Sequence, residues 1–336
     1  MSEHTGAPAP AGAPLTPHPA DPGLAARLAR AARDLAAAGR SPEDVAAGPP
    51  HPLAGDLAAA LPRPDRERGY RVVTGLLDAF GALGPTPPHW SGPQGEEANA
   101  LDLGLALVAA ALGDLYGWAN QQGGRLVHNI LPIPGQEKAQ VGASSTTTLT
   151  RHTEDAFHPM RPHLLLLAAL RNPDGVGSLV SSVRRVGLSD AQRAQLAQPR
   201  VVITPDDSYR PPEGAGSWTA LAAPGIATVW AAPDGPCLRF DPAYSRLPDD
   251  PEFTDAYTAL EKGLEINEEE VPLQAGDIIL IDNDVAVHGR KPFRPRYDGT
   301  DRWLKRAIVR LDRPRPEAEA RESGFGQRAT GPRAPR

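Results

Sequence analysis

The 336-residue chain is short of several things, and each shortage excludes something. It has one cysteine, Cys237, which excludes an internal disulfide, a thiolate zinc site and an iron–sulfur cluster. Only four of its 35 basic residues are lysines, and 41 acidic residues leave a net charge of −6. With a pI near 5.9 the chain lacks the basic excess a nucleic-acid binder needs, so no nucleic-acid partner is expected. Long apolar runs are missing too. The most apolar stretch, Ala98 to Trp118, carries Asp102 and Asp114 and reads as a buried helix, not a membrane span. The N-terminal MSEHTGAPAPAGAPLTPHPAD has no apolar core of a secretory signal. A cytoplasmic protein with no membrane partner is the expectation.

Residues 1–21 and 313–336 are rich in Pro, Ala, Gly and charge, and read as disordered tails. Between them no repeat or linker is visible, so residues 22–312 read as one domain. The first third has helical spacing: Leu24, Leu28, Ala31 and Leu35 share a face, and Val72–Phe80 and Asn99–Trp118 repeat the pattern. Short apolar runs then take over, bounded by Pro, Gly, Asn and Asp: Leu126–Leu131, Leu164–Leu170, Val201–Thr204, Ala227–Ala231, Cys237–Phe240, Ile278–Ile281 and Ala307–Leu311. Their lengths suit strands of a sandwich or barrel. Two helices interrupt them, one after Ser189 and one from about Glu252 to Gly263. The expected fold is mainly β with flanking helices.

The chemistry lies in RHTEDAFHP, residues 151–159. In extended backbone alternate side chains share a face, so His152 and Glu154 point together. His288, in IDNDVAVHGR beyond the strand Ile278–Ile281, supplies a third ligand. Two histidines and one carboxylate on a β scaffold make a facial triad with open positions, which suits non-haem Fe(II) and oxygen chemistry. His158 follows a turn and His163 opens an apolar strand, so both are poorer ligand candidates. His128, within an apolar run, reads as a satisfied core histidine. Arg302 follows His288 by fourteen residues, and a hairpin through Tyr297–Gly299 would bring Arg302 or Arg306 beside the metal. An arginine fork there grips a carboxylate, as a bound 2-oxoglutarate requires.

HTEDAFHP, RNPDGVGS, IDNDVAVHGR and RYDGTDRWLKR together resemble the clavaminate synthase-like branch of the Fe(II)/2-oxoglutarate oxygenases, most of all the bacterial hydroxylases of free arginine, asparagine and lysine. The likeness runs from about Leu101 to Asp312. It implies a double-stranded β-helix (jelly-roll) core, Fe(II) on His152, Glu154 and His288, and 2-oxoglutarate and O2 as cosubstrates. It also implies Arg302 on the distal carboxylate of 2-oxoglutarate, aided by Ser178. On the substrate side it implies Gln121, with Gln122 as a one-residue slip, for the α-amino group together with Glu154. Arg306 would take the α-carboxylate, Asp206 would sit on a lid (Pro205–Trp218), and Asp241 would lie near the substrate side chain.

Two positions depart from the family pattern. Arginine hydroxylases carry a pair of acids where this chain has Arg239 and Asp241, which opens the possibility of a neutral or shorter side chain. Arg151 and His163 stand where relatives carry an aromatic residue and an Asp. The activity implied is 2-oxoglutarate-dependent hydroxylation of a free L-amino acid at Cβ or Cγ in antibiotic-type metabolism. Alternatives on the same fold are desaturation, ring closure, a carrier-tethered substrate or a non-catalytic binding protein.

Overall fold

The structure, a computed structural model, describes residues 15–209, 217–218, 223–322 and 324–331. The chain opens with β1 (His18–Pro19), α1 (Pro22–Ala37), α2 (Pro42–Ala47), α3 (Ala54–Ala60) and β2 (Tyr70–Thr74). Next come α4 (Glu96–Leu112), β3 (Asp114–Trp118), β4 (Val127–Ile130), β5 (Leu149–His152), β6 (Leu164–Arg171) and β7 (Ser178–Ser182). After α5 (Asp190–Leu196) lie β8 (Val202–Ile203), β9 (Val229–Ala232), β10 (Gly235–Leu238) and β11 (Ser245–Arg246). The last part holds α6 (Pro251–Ile266), β12 (Glu269–Val271), β13 (Ile278–Asp282), β14 (Ala286–Arg290), β15 (Trp303–Arg310) and β16 (Ala329–Thr330).

Two sheets carry the architecture. The larger runs β1-β2-β13-β6-β15-β3-β16, with β4 also on β15; the smaller runs β12-β7-β14-β5. Strand period two sorts the larger sheet's side chains between two cores. Leu165, Leu167, Ile279, Ile281, Leu304 and Ile308 pack with Val180 and Val287 of the smaller sheet. Their neighbours Leu164, Leu166, Ala168, Ile278, Leu280 and Val309 pack on the other face, against Leu24 and Leu28 of α1 and Leu101 and Leu105 of α4. The caps follow from sequence: the Asp21 carboxylate accepts from the Leu24 N–H at 2.8 Å, and Ser189 and Gln192 form a capping box on α5. Among the described residues no helix is long and apolar enough to cross a membrane.

Four expectations are corrected. Val72–Phe80 does not form a helix: Tyr70–Thr74 is a strand whose Val73 pairs with Ile278, because its β-branched residues suit a ladder beside β13. The helix read over Asn99–Trp118 stops at Leu112, and β3 begins at Asp114. A Cβ on Gly113 would lie 2.5 Å from the Arg310 carbonyl oxygen, so only glycine lets the chain turn there against β15. The Tyr297–Gly299 turn does not join paired strands. β14 pairs with β7 and β5, whereas β15 pairs with β6, β3 and β4, so the chain crosses from one sheet to the other.

The fourth correction concerns the tails. Residues 1–14 lie outside the described residues, but His18 and Pro19 pair with Val73 and Thr74. The segment read as a disordered C-terminal tail is packed from residue 313 to 331 apart from residue 323, which is not described. Arg313 bridges Asp282 and Asp284, Arg315 donates to Asp284 at 2.8 Å, and Ala329 and Thr330 pair with Trp118 and Gly117. Glu322 accepts from Arg239 at 2.9 Å, and Glu319 from Arg161 at 2.6 Å. A composition poor in apolar residues hid a segment held by ion pairs. Glu322→Ala is therefore expected to cost about 3 kcal/mol in urea unfolding, the low end for a broken buried pair, since Glu319 remains 3.9 Å from Arg239.

Candidate metal centre and active site

His152 ends β5 and faces His288 across the ladder on β14. Their rings lie 4.4 Å apart between centroids. The chain leaves the strand after His152 and turns through Asp155, whose φ of 53° an aspartate tolerates better than most residues. This turn brings Glu154 Oε2 to 3.3 Å from His288 Nε2 and 4.0 Å from His152 Nε2. One ligand atom from each of the three lies within 4.8 Å of the others, a span that can hold one divalent ion. The His152 Nδ1–H donates to the Thr150 carbonyl at 2.8 Å, which leaves Nε2 with its lone pair directed at the cluster. Burial works against the Glu154 carboxylate, but Arg306, His288 and His152 outweigh it and hold its carboxyl well below the usual range. Burial and the neighbouring His288 also push the His152 imidazole down, so the Glu154 carboxylate and the His152 ring are in the forms a metal takes.

The triad lines a cavity of about 620 Å³ that also takes in Gln121, Ser178, Asp206, Arg302 and Arg306. Arg306 forms an ion pair with Glu154 Oε1 and donates to Gln121 Oε1 at 2.8 Å. The Gln121 amide in turn donates to Ser208 Oγ at 3.2 Å. Gln122 is occupied elsewhere, exchanging hydrogen bonds with the Asn129 backbone at 2.8 and 2.9 Å. Asp206 accepts from the Ser208 N–H at 2.7 Å, and Asp241 from the Ala243 N–H at 3.2 Å. Asp241 is buried and does not line the cavity wall itself, though it lies within the electrostatic reach of His152 and Asp206. Of the proposed lid, residues 210–216 fall outside the described residues.

Arg302 is the test of whether an acidic cosubstrate fits. It is 6% exposed, and among the described residues no carboxylate or hydrogen-bond acceptor engages its guanidinium. Burial, helped by the charge of Arg290, pushes it down to about 9. An unpaired buried cation is costly unless an anion joins it. A dicarboxylic keto acid whose head sat at the triad would supply that anion.

Sequence reasoning missed two residues. Asn283, in IDND, is fully buried; its side chain accepts from the Glu154 N–H at 2.8 Å and donates to the Glu154 and Pro162 carbonyls at 3.0 Å each. It fixes the turn that carries the carboxylate ligand. The signal was an amide at the end of an apolar strand, with no rule to say what it would meet. His128 is a core histidine, as its run suggested, but with a task. Its Nε2–H donates to the Arg125 carbonyl at 2.9 Å, so its Nδ1 accepts from Arg306 at 2.6 Å. Burial and the neighbouring guanidinium push the imidazole down to about 3, which keeps that acceptor available.

The model of the taurine catabolism dioxygenase TauD, TfdA family matches residues 102–308. The enduracididine beta-hydroxylase of Streptomyces hygroscopicus is 38% identical over 269 residues, 74% of this chain and 79% of its own. The L-ornithine/L-arginine 3-hydroxylase of Catenulispora acidiphila is 36% identical, over 71% of this chain and 75% of its own. Among solved structures, the non-heme iron oxygenase OrfP in complex with Fe and alpha-ketoglutaric acid superposes with a TM-score of 0.73 at 38% identity, covering 88% of this chain and 95% of OrfP. OrfP with Fe and L-Arg gives a TM-score of 0.71. A buried His–Glu–His cluster beside an unpaired arginine, carried on this fold at this level of identity, makes the chain a member of the TauD/TfdA family: an iron- and 2-oxoglutarate-dependent dioxygenase.

Proposed function

We propose that this dioxygenase hydroxylates a free L-amino acid with a cationic side chain, at Cβ or Cγ. One observation carries the reading: Arg306, Glu154 and Gln121 form a pre-paired cluster at the metal centre. An α-amino acid zwitterion is its complement. The α-carboxylate takes the Arg306 fork, and the ammonium takes Glu154 Oε1 and Gln121 Oε1, which Arg306 occupies without substrate. Both ends of the zwitterion are then fixed, so the first side-chain carbons are the ones held at the metal. The two relatives of highest identity given above are named for enduracididine, ornithine and arginine, amino acids of this type, whereas an L-asparagine oxygenase of Streptomyces coelicolor, 35% identical, is named for a neutral one.

In this reading His152, Glu154 and His288 hold Fe(II), and Arg302 with Ser178 holds 2-oxoglutarate. The two sheets are the halves of a double-stranded β-helix, with the site between them. Bound there, iron, 2-oxoglutarate and O2 supply oxidative decarboxylation to succinate and CO2 with insertion of one oxygen atom into a C–H bond. The protein's part is to orient the substrate, through Arg306, Gln121 and Glu154, and to keep the site enclosed.

Asp206 and Asp241 argue for a cation at the far end of the substrate. Neither forms an ion pair among the described residues, and burial, partly offset by His152 and reinforced by Asp206, pushes the Asp241 carboxyl up to about 7. Arg239, the departure from the family pattern, does not neutralise Asp241. It turns away to the Ala156 carbonyl and to Glu322. A mass-spectrometric screen of 2-oxoglutarate-dependent hydroxylation over the proteinogenic amino acids, citrulline and ornithine tests the reading. Arginine, ornithine or lysine is expected to lead; preference for asparagine or citrulline would refute a cationic site. The Asp206→Asn/Asp241→Asn variant is expected to weaken the leading cation by about 100-fold in KM, roughly the loss of one buried charge pairing. Since the ionised Asp241 attracts the cation from just behind the cavity wall, affinity should also fall below pH 7, by up to about tenfold per unit.

A further inference from the structure

The cosubstrate end of the cavity holds more positive charge than one arginine explains. Arg290 lines it as well as Arg302, and it is 3% exposed. Strand geometry places it there. Arg290 lies two residues beyond His288 on β14, so both side chains leave the same face of the strand. Across the ladder it sits opposite Ser178 of β7, just as His288 sits opposite Val180. Arg302 reaches the same space from the larger sheet, two residues ahead of Leu304, which also lines the cavity.

Three hydrogen bonds fix the Arg290 guanidinium: to the Ser145 carbonyl at 3.3 Å, Ser144 Oγ at 2.9 Å and the Thr147 carbonyl at 3.3 Å. The Phe293 ring lies 4.9 Å from its centre. All these partners are neutral. No carboxylate among the described residues pairs with it, and its buried Nε–H has no acceptor, a vacancy it shares with the Nε–H of Arg302. Two desolvated guanidiniums that repel one another are relieved by an anion held between them.

We propose that Arg290 is a second guanidinium for the distal carboxylate of 2-oxoglutarate, sharing it with Arg302 and setting the preference for a dicarboxylic over a monocarboxylic keto acid. The proposal rests on the assignment of that cosubstrate above. Arg290 also ties the segment Ser144–Thr147 to this end of the cavity, so one side chain both grips the carboxylate and closes the wall behind it.

Full-length protein loaded with Fe(II) without oxygen, titrated calorimetrically with 2-oxoglutarate and with 2-oxopentanoate, tests this. The second acid has the same keto-acid head and length but a methyl group in place of the distal carboxylate. Arg290→Met is expected to weaken 2-oxoglutarate at least tenfold and leave 2-oxopentanoate within about twofold. Ser144→Ala, which removes an anchor but no charge, should keep the wild-type ratio. If Arg290→Met does not fold, Arg290→Lys should still lower the ratio measurably. An unchanged ratio in the Arg290 variants, with both acids weakened equally or neither, overturns the proposal. Wild-type protein that binds neither acid would instead overturn the cosubstrate assignment, and this inference with it.

Discussion

Glu154→Gln is expected to lower kcat/KM by about 1,000-fold or more, and to release iron on dialysis that wild-type protein retains. The amide keeps the shape of the side chain but loses the charge that binds the metal. It also leaves Arg306 buried without its counter-ion, a loss of several kcal/mol by itself. Metal analysis after dialysis, alongside turnover, separates the two effects. Full iron content with lost turnover would place the role of Glu154 in substrate binding and not in metal ligation. Asn283→Ala should show a milder form of the same defect, since it loosens the turn bearing Glu154 without removing a ligand.

Arg306→Leu carries the second large effect. Truncating one partner of a buried, hydrogen-bonded charge pair costs about 2–5 kcal/mol, which corresponds to roughly 30- to several thousand-fold. The loss should fall on the amino acid: KM for the substrate rises by that factor, while 2-oxoglutarate affinity, set by other arginines, changes little. Steady-state kinetics in each substrate with the other saturating measures the split. Equal losses for both would mean that Arg306 supports the cavity as a whole and does not hold the α-carboxylate. His128→Ala leaves the Arg306 fork without its neutral acceptor, and the same split should appear at about a tenth of the size.

The candidate site was more legible in the sequence than the fold around it, for a physical reason. His152 and Glu154 are two residues apart, close enough to be read as a pair, although the structure brings them together through the turn after His152 and not through strand alternation, and a metal's demand for mixed nitrogen and oxygen donors pointed to His288. The positions of the strands in the second half followed from apolar runs of fixed length between turn residues, as at Ile278–Ile281. Pairing was not legible. The Tyr297–Gly299 turn has hairpin chemistry, yet β14 and β15 lie in different sheets, because partner choice depends on cores that form far away in sequence. Nor could composition reveal that residues 313–322 and 324–331 are packed. Their order comes from Arg313, Arg315, Glu319 and Glu322 meeting Asp282, Asp284, Arg161 and Arg239, and the value of each charge depends on a partner that sequence does not specify. Arg239 shows the cost of reading by motif. Its position alone places a like charge beside a cation pocket, whereas the structure commits it to Glu322.

Anomalous diffraction at the iron edge, from crystals grown with Fe(II) and 2-oxoglutarate without oxygen, tests the central claim most directly. One iron peak is expected about 2.1 Å from His152 Nε2, His288 Nε2 and a Glu154 oxygen, with the keto acid reaching from the metal toward Arg302. An iron peak elsewhere, or a keto acid bound away from Arg302 with the three side chains unliganded, would contradict it.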